Sequence, residues 1–182
     1  AVSPASVTED GTPNLLYTFT RIGATAGALT ANFTVSGTAS RTNDYAPTGS
    51  ATFTATTGTV SFSAGQSTKI VTINPTADVV VEPDETLILT LTAAATYLVG
   101  TASSATGTIL NDDPRVTVAV SPASVTENGT TNATYTFHRT GPTISPLTVS
   151  FNVGGTATCN SDYATSGAAS FSETTGTVTF AA

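Results

Sequence analysis

The sequence predicts an all-β chain made of antiparallel β-sandwich units in tandem, and three observations lead to this fold class. Apolar and polar residues alternate in short runs, as they do in half-buried strands. Thr and Ser make up roughly a third of the chain, and no helical periodicity extends beyond one turn. The chain also repeats itself at a spacing typical of one sandwich domain.

Alternation predicts seven strands in the first 113 residues. The first strand ends near residue 7 and the fourth at residue 62, and the others run over 15–22, 29–36, 68–73, 86–93 and 105–110. An alternative stays open, because a turn at residues 56–58 would make the apolar run 51–54 an additional strand. That strand would move the later connections to the opposite pole of the domain.

An internal repeat defines the expected domains. Val2–Glu9 returns as Val120–Glu127, and three further motifs return at the same offset of 118 residues without any insertion. We therefore expect a complete sandwich over residues 1–113, a short linker over 114–118, and the N-terminal half of a second sandwich over 119–182.

Acidic residues are few, but in the first 113 residues they fall in four places. These places are Glu9 with Asp10, then Asp44, then Asp78 with Glu82, Asp84 and Glu85, and finally Asp112 with Asp113. In an antiparallel order of seven strands, all four lie at one pole, whereas the connections at the other pole, 23–28, 63–67 and 94–104, contain no acid. Crowded carboxylates repel one another unless a cation neutralises them, and hard divalent ions prefer oxygen ligands. The placement of the acids therefore favours a calcium site. The alternative is an acidic surface that is exposed to solvent and binds no ion.

Composition limits the classes of partner. A formal net charge of −7 and a pI near 4.2 argue against nucleic acid and against insertion into anionic membranes. Acidic, Lys-poor and Thr-rich sandwiches are typical of extracellular or cell-surface proteins, and the sequence shows neither a signal peptide nor an apolar run of bilayer length. The chain lacks an initiator Met, so we expect a mature product or an internal fragment.

The nucleophiles and bases of common enzymes are scarce. The single His138 lies between Phe137 and Arg139 on a predicted strand and is expected to face solvent. The single Cys159 permits no internal disulfide, which leaves an incidental loop thiol or an intermolecular bridge as alternatives. We therefore expect no catalytic residues and no enzymatic activity.

Four segments of the first 113 residues together resemble a known family. Glu9 follows the first strand, Asn43–Tyr45 forms a loop element, residues 78–87 precede a strand, and residues 109–113 close the unit. In this order they resemble the Calx-beta domain family, which includes calcium sensors of sodium/calcium exchangers and tandem repeats of bacterial surface proteins. The resemblance extends to residues 119–182 as a partial copy.

The resemblance implies a seven-stranded, antiparallel, immunoglobulin-like sandwich with Ca²⁺ at one pole. The implied metal ligands are Glu9, Asp44, Asp78, Glu82, Glu85, Asp112 and Asp113. Ala77 and Asn111 stand where the richest family sites carry further acids. In the second copy only Glu127 and Asp162 match, which implies a weak or incomplete site.

These observations leave two functional hypotheses. The first is a calcium-binding structural or adhesive repeat of an extracellular protein, in contact with adjacent repeats or neighbouring copies. The second is a regulatory calcium sensor coupled to a partner. The half sandwich adds two further alternatives: it was cut from a longer array, or strands from a neighbouring molecule complete it beside residues 176–181 and build a filament.

Overall fold

The computed structural model describes all residues from 1 to 182, and they form strands connected by turns and loops. The chain divides into two compact units, Ala1–Asp112 and Asp113–Ala182. The predicted all-β class is confirmed. No part of the chain forms a helix with the length and apolarity that a membrane crossing needs.

The first unit contains ten strands in two sheets. The strands are β1 (Val2–Ser3), β2 (Ser6–Thr8), β3 (Leu15–Thr20), β4 (Leu29–Gly37), β5 (Tyr45–Thr48), β6 (Thr52–Phe53), β7 (Thr57–Phe62), β8 (Thr68–Pro75), β9 (Glu85–Thr92) and β10 (Ser104–Leu110). One sheet has the order β1-β3-β8-β5, and the other has the order β2-β10-β9-β4-β7-β6. The two sheets bury one shared apolar core.

The first predicted strand is divided between the two sheets. Val2 pairs with Tyr17 in the four-stranded sheet, whereas Val7 pairs with Ile109 in the six-stranded sheet. Pro4 lies between the two halves and has no N–H to offer to a continuous ladder. The pairing of β2 with β10 is parallel, so the expectation of a wholly antiparallel arrangement is wrong at this edge.

The open alternative for residues 51–54 is resolved by two short strands. Strand β6 forms a hairpin with β7, closed by a hydrogen bond of 2.7 Å from the Thr54 N–H to the Thr57 carbonyl. Strand β5 pairs with β8 in the other sheet. Because two strands are inserted, one running in each direction, the later connections keep the pole that the seven-strand count gave them.

The core of the first unit is centred on aromatic residues that pack in a line. Ring centres are 5.3 Å apart for Phe19 and Phe33, 5.6 Å for Phe33 and Phe53, and 6.1 Å for Phe53 and Tyr45. Tyr17 is 1 % exposed, donates a hydrogen bond of 2.6 Å to the Leu87 carbonyl, and accepts one of 3.0 Å from the Gly107 N–H. Burial raises the pKa of Tyr17 to about 12, so the hydroxyl stays protonated and can donate.

The second unit contains five strands. They are β11 (Arg115–Ser121), β12 (Thr134–Thr140), β13 (Leu147–Asn152), β14 (Ser170–Phe171) and β15 (Thr175–Phe180). Strands β11 and β12 form one sheet, and the other has the order β13-β15-β14. The segment 114–118 is therefore not a linker, because β11 begins at Arg115 and pairs with β12 over seven residues.

The second unit has more open edges than the one expected beside residues 176–181. Strand β15 is paired with β13 along its length but with β14 only at residues 176–177, so residues 178–180 of the expected edge have a strand partner on one side only. In the first unit, β8 pairs with one edge of β3, and β9 pairs with one edge of β4. The corresponding strands β12 and β13 have no such neighbour within the second unit, so each has an open edge that its counterpart in the first unit lacks.

Candidate metal centre

The carboxylates of residues 9–113, which all belong to the first unit except that of Asp113 at the boundary, meet at the pole that the strand count predicts. Glu9 directly follows β2, Asp44 precedes β5, the loop 78–85 connects β8 to β9, and Asp112 and Asp113 follow β10. The acids lie in connections between strands or at their ends, so four chain segments from two sheets form the site. Six of these side chains form two groups of three.

The first group contains Glu9, Asp78 and Asp113, with ligand oxygens that all lie within 4.8 Å of one another. Glu9 and Asp113 are buried, whereas Asp78 is exposed. The Glu9 N–H donates to the Leu110 carbonyl at 3.1 Å, which ties the end of β2 to the end of β10. The Asp78 carboxylate accepts a hydrogen bond of 2.7 Å from the Val80 N–H and thereby turns its own loop.

The second group contains Asp44, Glu82 and Glu85, whose oxygens also lie within 4.8 Å of one another. Burial raises the pKa of Glu85 to about 7, and a hydrogen bond and repulsion from Asp44, with repulsion from Glu82, add to the effect. A cation among the three oxygens would relieve this repulsion and favour the ionised form of Glu85.

Backbone contacts hold Asp44 in place without an ion. Its Oδ2 accepts a short hydrogen bond from the Ser40 N–H, and its own N–H donates to the Ser40 carbonyl at 3.1 Å. The Asp44 carbonyl accepts from the Thr76 N–H at 2.9 Å, which connects this loop to the end of β8. The carboxylate is therefore positioned by the tight loop that precedes β5.

One ligand implied by the resemblance lies apart from both groups. Asp112 accepts a hydrogen bond of 3.4 Å from the Asp10 N–H and belongs to neither group of three. The structure thus brings together six of the seven implied carboxylates. Asp112 connects the closing segment to the loop after β2.

Asn111 has a positioning function that the sequence did not reveal. Its side-chain oxygen accepts from the Glu82 N–H at 3.1 Å, and its backbone N–H donates to the Asp84 carboxylate at 3.1 Å. These two hydrogen bonds join the loop 78–85 to the closing segment 109–113. They therefore connect two chain segments that carry acids of both groups. In the sequence, the only indication of this function is that Asn111 directly precedes Asp112, at a position where the richest family sites carry an acid.

The acids of the second copy are not brought together. Glu127 and Asp162 are both exposed, and neither belongs to a group of three acids. Asp162 repeats the local geometry of Asp44, because its Oδ2 accepts a hydrogen bond of 2.7 Å from the Thr158 N–H. One positioned carboxylate does not make a cation site.

Comparison with known proteins gives a family and several similar structures. The Calx-beta domain family matches residues 9–113, which is more than half of the chain. The Calx CBD1 domain in its apo form is 23% identical, with a TM-score of 0.46, and the match covers 62% of this chain and 95% of that one. No curated protein matches the chain significantly.

Two larger structures also resemble the chain. Calcium binding domain CBD12 of CALX1.1 is 19% identical and CBD12 from CALX1.2 is 18% identical, each with a TM-score of 0.48. Each match covers 84% of this chain and 55% of the other, so the chain spans about half the length of these two proteins.

Proposed function

The chain belongs to the Calx-beta domain family, and from this premise we propose that its first unit binds Ca²⁺ at the acidic pole. The observation that carries the proposal is the pair of carboxylate groups, each with three oxygens within 4.8 Å. Calcium takes six to eight oxygen ligands in a flexible shell, and carbonyl groups and water can complete each set of three. The donor set suits about two ions.

The metal ligands of this proposal are the six grouped carboxylates, with Asp112 in a supporting position. The buried members Glu9, Asp44 and Asp113 supply a rigid base, and Asp78 on the exposed loop completes the first group. Ion binding then immobilises the loop 78–85 and the closing segment together.

We further propose that the chain is a structural or adhesive repeat of an extracellular or cell-surface protein, and not an enzyme. The acidic, Lys-poor composition and the sequence repeat support this function. Calcium at the end of β10 would stiffen the segment from which the second unit begins. The grouped carboxylates are accounted for as ligands, which leaves no acid–base pair to propose for catalysis.

A regulatory calcium sensor is the second candidate, and the family premise favours it equally. Affinity separates the two, because extracellular modules bind at about 0.1 to 1 mM and sensors at about 0.1 to 10 μM. Titration calorimetry of the chain with Ca²⁺ measures this value. A dissociation constant in the micromolar range would replace the structural function by a regulatory one.

Filament formation by strand addition is a finer part of the proposal. The open edges of β12 and β13 are the acceptors that it requires. Tyr135, on β12, is 66 % exposed, so an added strand would bury apolar surface as well as pair the edge. Sedimentation of the chain with Pro substituted at Thr136 or Ser150 measures whether these edges mediate association.

Thermal unfolding in chelator and in millimolar Ca²⁺ tests the central proposal. Ion binding to the folded unit alone should stabilise it by about 2.7 kcal/mol at a hundredfold excess over the dissociation constant. Glu85→Gln should remove most of this gain, whereas Glu173→Gln, an exposed acid of the second unit, should leave it unchanged. An unfolding temperature that does not respond to Ca²⁺ would refute the proposal.

A further inference from the structure

The acid-free pole of the first unit carries an apolar groove that none of the preceding functions uses. The groove has a volume of about 560 Å³ and is lined by Phe19, Arg21, Leu29, Phe62, Tyr97 and Leu98, among others. Its rim is formed by two loops that carry Ile22 and Leu98, which are 94 % and 96 % exposed. These two side chains and the apolar lining lie together in one groove, and contiguous exposed apolar surface of this kind is typical of an interaction site.

The groove is held open by hydrogen bonds, and it is not a gap in the packing. The Tyr97 hydroxyl donates to the Thr92 carbonyl at 2.6 Å and accepts from the Asn32 N–H at 2.8 Å. The loop that carries Leu98 is thereby anchored on β4 and β9. The facing loop is anchored by Arg21, whose Nη1 donates to the Gly27 carbonyl at 2.9 Å.

Arg21 gives the groove a preference for an anion. Its guanidinium carbon lies 5.9 Å from the centre of the Phe62 ring, and no protein group accepts a hydrogen bond from its buried Nε or Nη2. Arg21 is the only charged residue among those that line the groove. No acid lies in the loops at this pole, so a carboxylate brought to the groove is attracted to the Arg21 charge without competition from a nearby acid.

The opposite pole of the same unit has the complementary chemistry. Val79, Val80 and Val81 are 87 %, 53 % and 50 % exposed, and acids flank them in the segment 78–85. This segment therefore combines exposed apolar side chains with carboxylates, which are the two features that the groove accepts. The loops around the groove contain no acid, so charge favours this pairing over the contact of two like poles.

We propose that the groove binds the segment 78–85 of a second copy of the chain. The two surfaces are different and lie at opposite poles of one unit, so the contact is head-to-tail and does not close in a dimer. Repetition of the contact adds copies in a row. This assembly goes beyond the proposed calcium site, and it uses the first unit, whereas strand addition would use β12 and β13.

Sedimentation equilibrium of the full chain in chelator tests this proposal separately from calcium binding. We expect the mean mass to rise with concentration and to pass the mass of a dimer. Arg21→Gln, Leu98→Ser and Val80→Ser should each weaken association at least tenfold, and the last two change exposed residues that the core does not need. Arg115→Gln and Val125→Ser, which alter exposed residues of the second unit, are the matched controls.

A mixing experiment tests the head-to-tail geometry. The Arg21→Gln chain has an altered groove but an intact segment 78–85. The Val80→Ser chain has an altered segment 78–85 but an intact groove. Their mixture should form one-to-one dimers that grow no further, although each variant alone stays monomeric. The proposal is overturned if the chain is monomeric at all concentrations, if it forms closed dimers, or if the groove variants associate like the controls.

Discussion

The same loop occurs in both units, and its surroundings differ. The Thr42 N–H donates to the Tyr45 carbonyl at 3.1 Å, and Asn160 repeats this bond to Tyr163 at 2.8 Å. Yet Tyr45 is 1 % exposed and Asp44 is buried, whereas Tyr163 is half-buried and Asp162 exposed. Local sequence thus reproduces the loop, but distant strands are needed to bury it and to supply the other carboxylates.

The aromatic line shows the same contrast. Ring centres lie 5.0 Å apart for Phe137 and Phe151, and 6.1 Å for Phe151 and Phe171, close to the distances in the first unit. Phe33 is 1 % exposed, whereas Phe151 is only partly buried. Contacts between near neighbours therefore persist, while complete burial requires β8, β9 and β10.

The largest predicted difference in stability between the two units concerns Phe33 and its equivalent Phe151, at the centre of the aromatic line. Phe33→Ala should destabilise the first unit by about 3 to 5 kcal/mol, because it removes a fully buried ring. Phe151→Ala should cost the second unit less than half as much. Hydrogen–deuterium exchange followed by mass spectrometry measures each unit separately, and equal costs would mean that burial does not distinguish the units.

Two equivalent glycines provide a second comparison. Gly37 has φ 118°, and a Cβ there would lie 2.1 Å from the Thr86 carbonyl oxygen, whereas Gly155 has φ 125° and open space around it. Gly155→Ala should cost about 1 to 2 kcal/mol from backbone strain alone. Gly37→Ala should cost about 3 kcal/mol, because strand β9 must also move. Urea denaturation monitored by hydrogen exchange in each unit measures both values, and equal costs would contradict the clash.

Substitution of the equivalent residues Asp44 and Asp162 should have different effects on the affinity for Ca²⁺. Asp44→Asn removes a charged oxygen from a group of three and should weaken binding about 10- to 100-fold, or about 1.4 to 2.7 kcal/mol. Asp162→Asn should leave the affinity unchanged, since Asp162 has no acidic neighbours in a group. Titration calorimetry measures both, and equal losses would indicate diffuse attraction instead of a site.

The smallest predicted difference concerns one hydroxyl. Tyr17→Phe should destabilise the first unit by about 1 to 2 kcal/mol, because the buried Leu87 carbonyl and Gly107 N–H lose a shared partner. Tyr135→Phe should change stability by less than about 0.5 kcal/mol, since that side chain is 66 % exposed. Thermal unfolding of both variants in chelator checks the pair. A Tyr135→Phe loss as large as that of Tyr17→Phe would show that the second unit makes the same bonds.

The sequence predicted most strands and the four acid-bearing places correctly, for local reasons. Alternation shows which residues face inward, and turn residues show where a run ends. It missed the division of the first strand and the pairing of β5 with β8, because both depend on which sheet a short segment joins. Residues such as Val7 fit either sheet when viewed alone.

The sequence by itself determined the β class, the period of the repeat and the pole at which the acids gather, because each follows from the order of residues along the chain. Only the tertiary structure decided that Asp112 lies apart, that Asn111 connects the loops, and that the acids divide into two groups. These features depend on distances of a few ångströms between segments far apart in sequence. These distances depend on how the two sheets pack together, so they cannot be predicted from the local sequence around each residue.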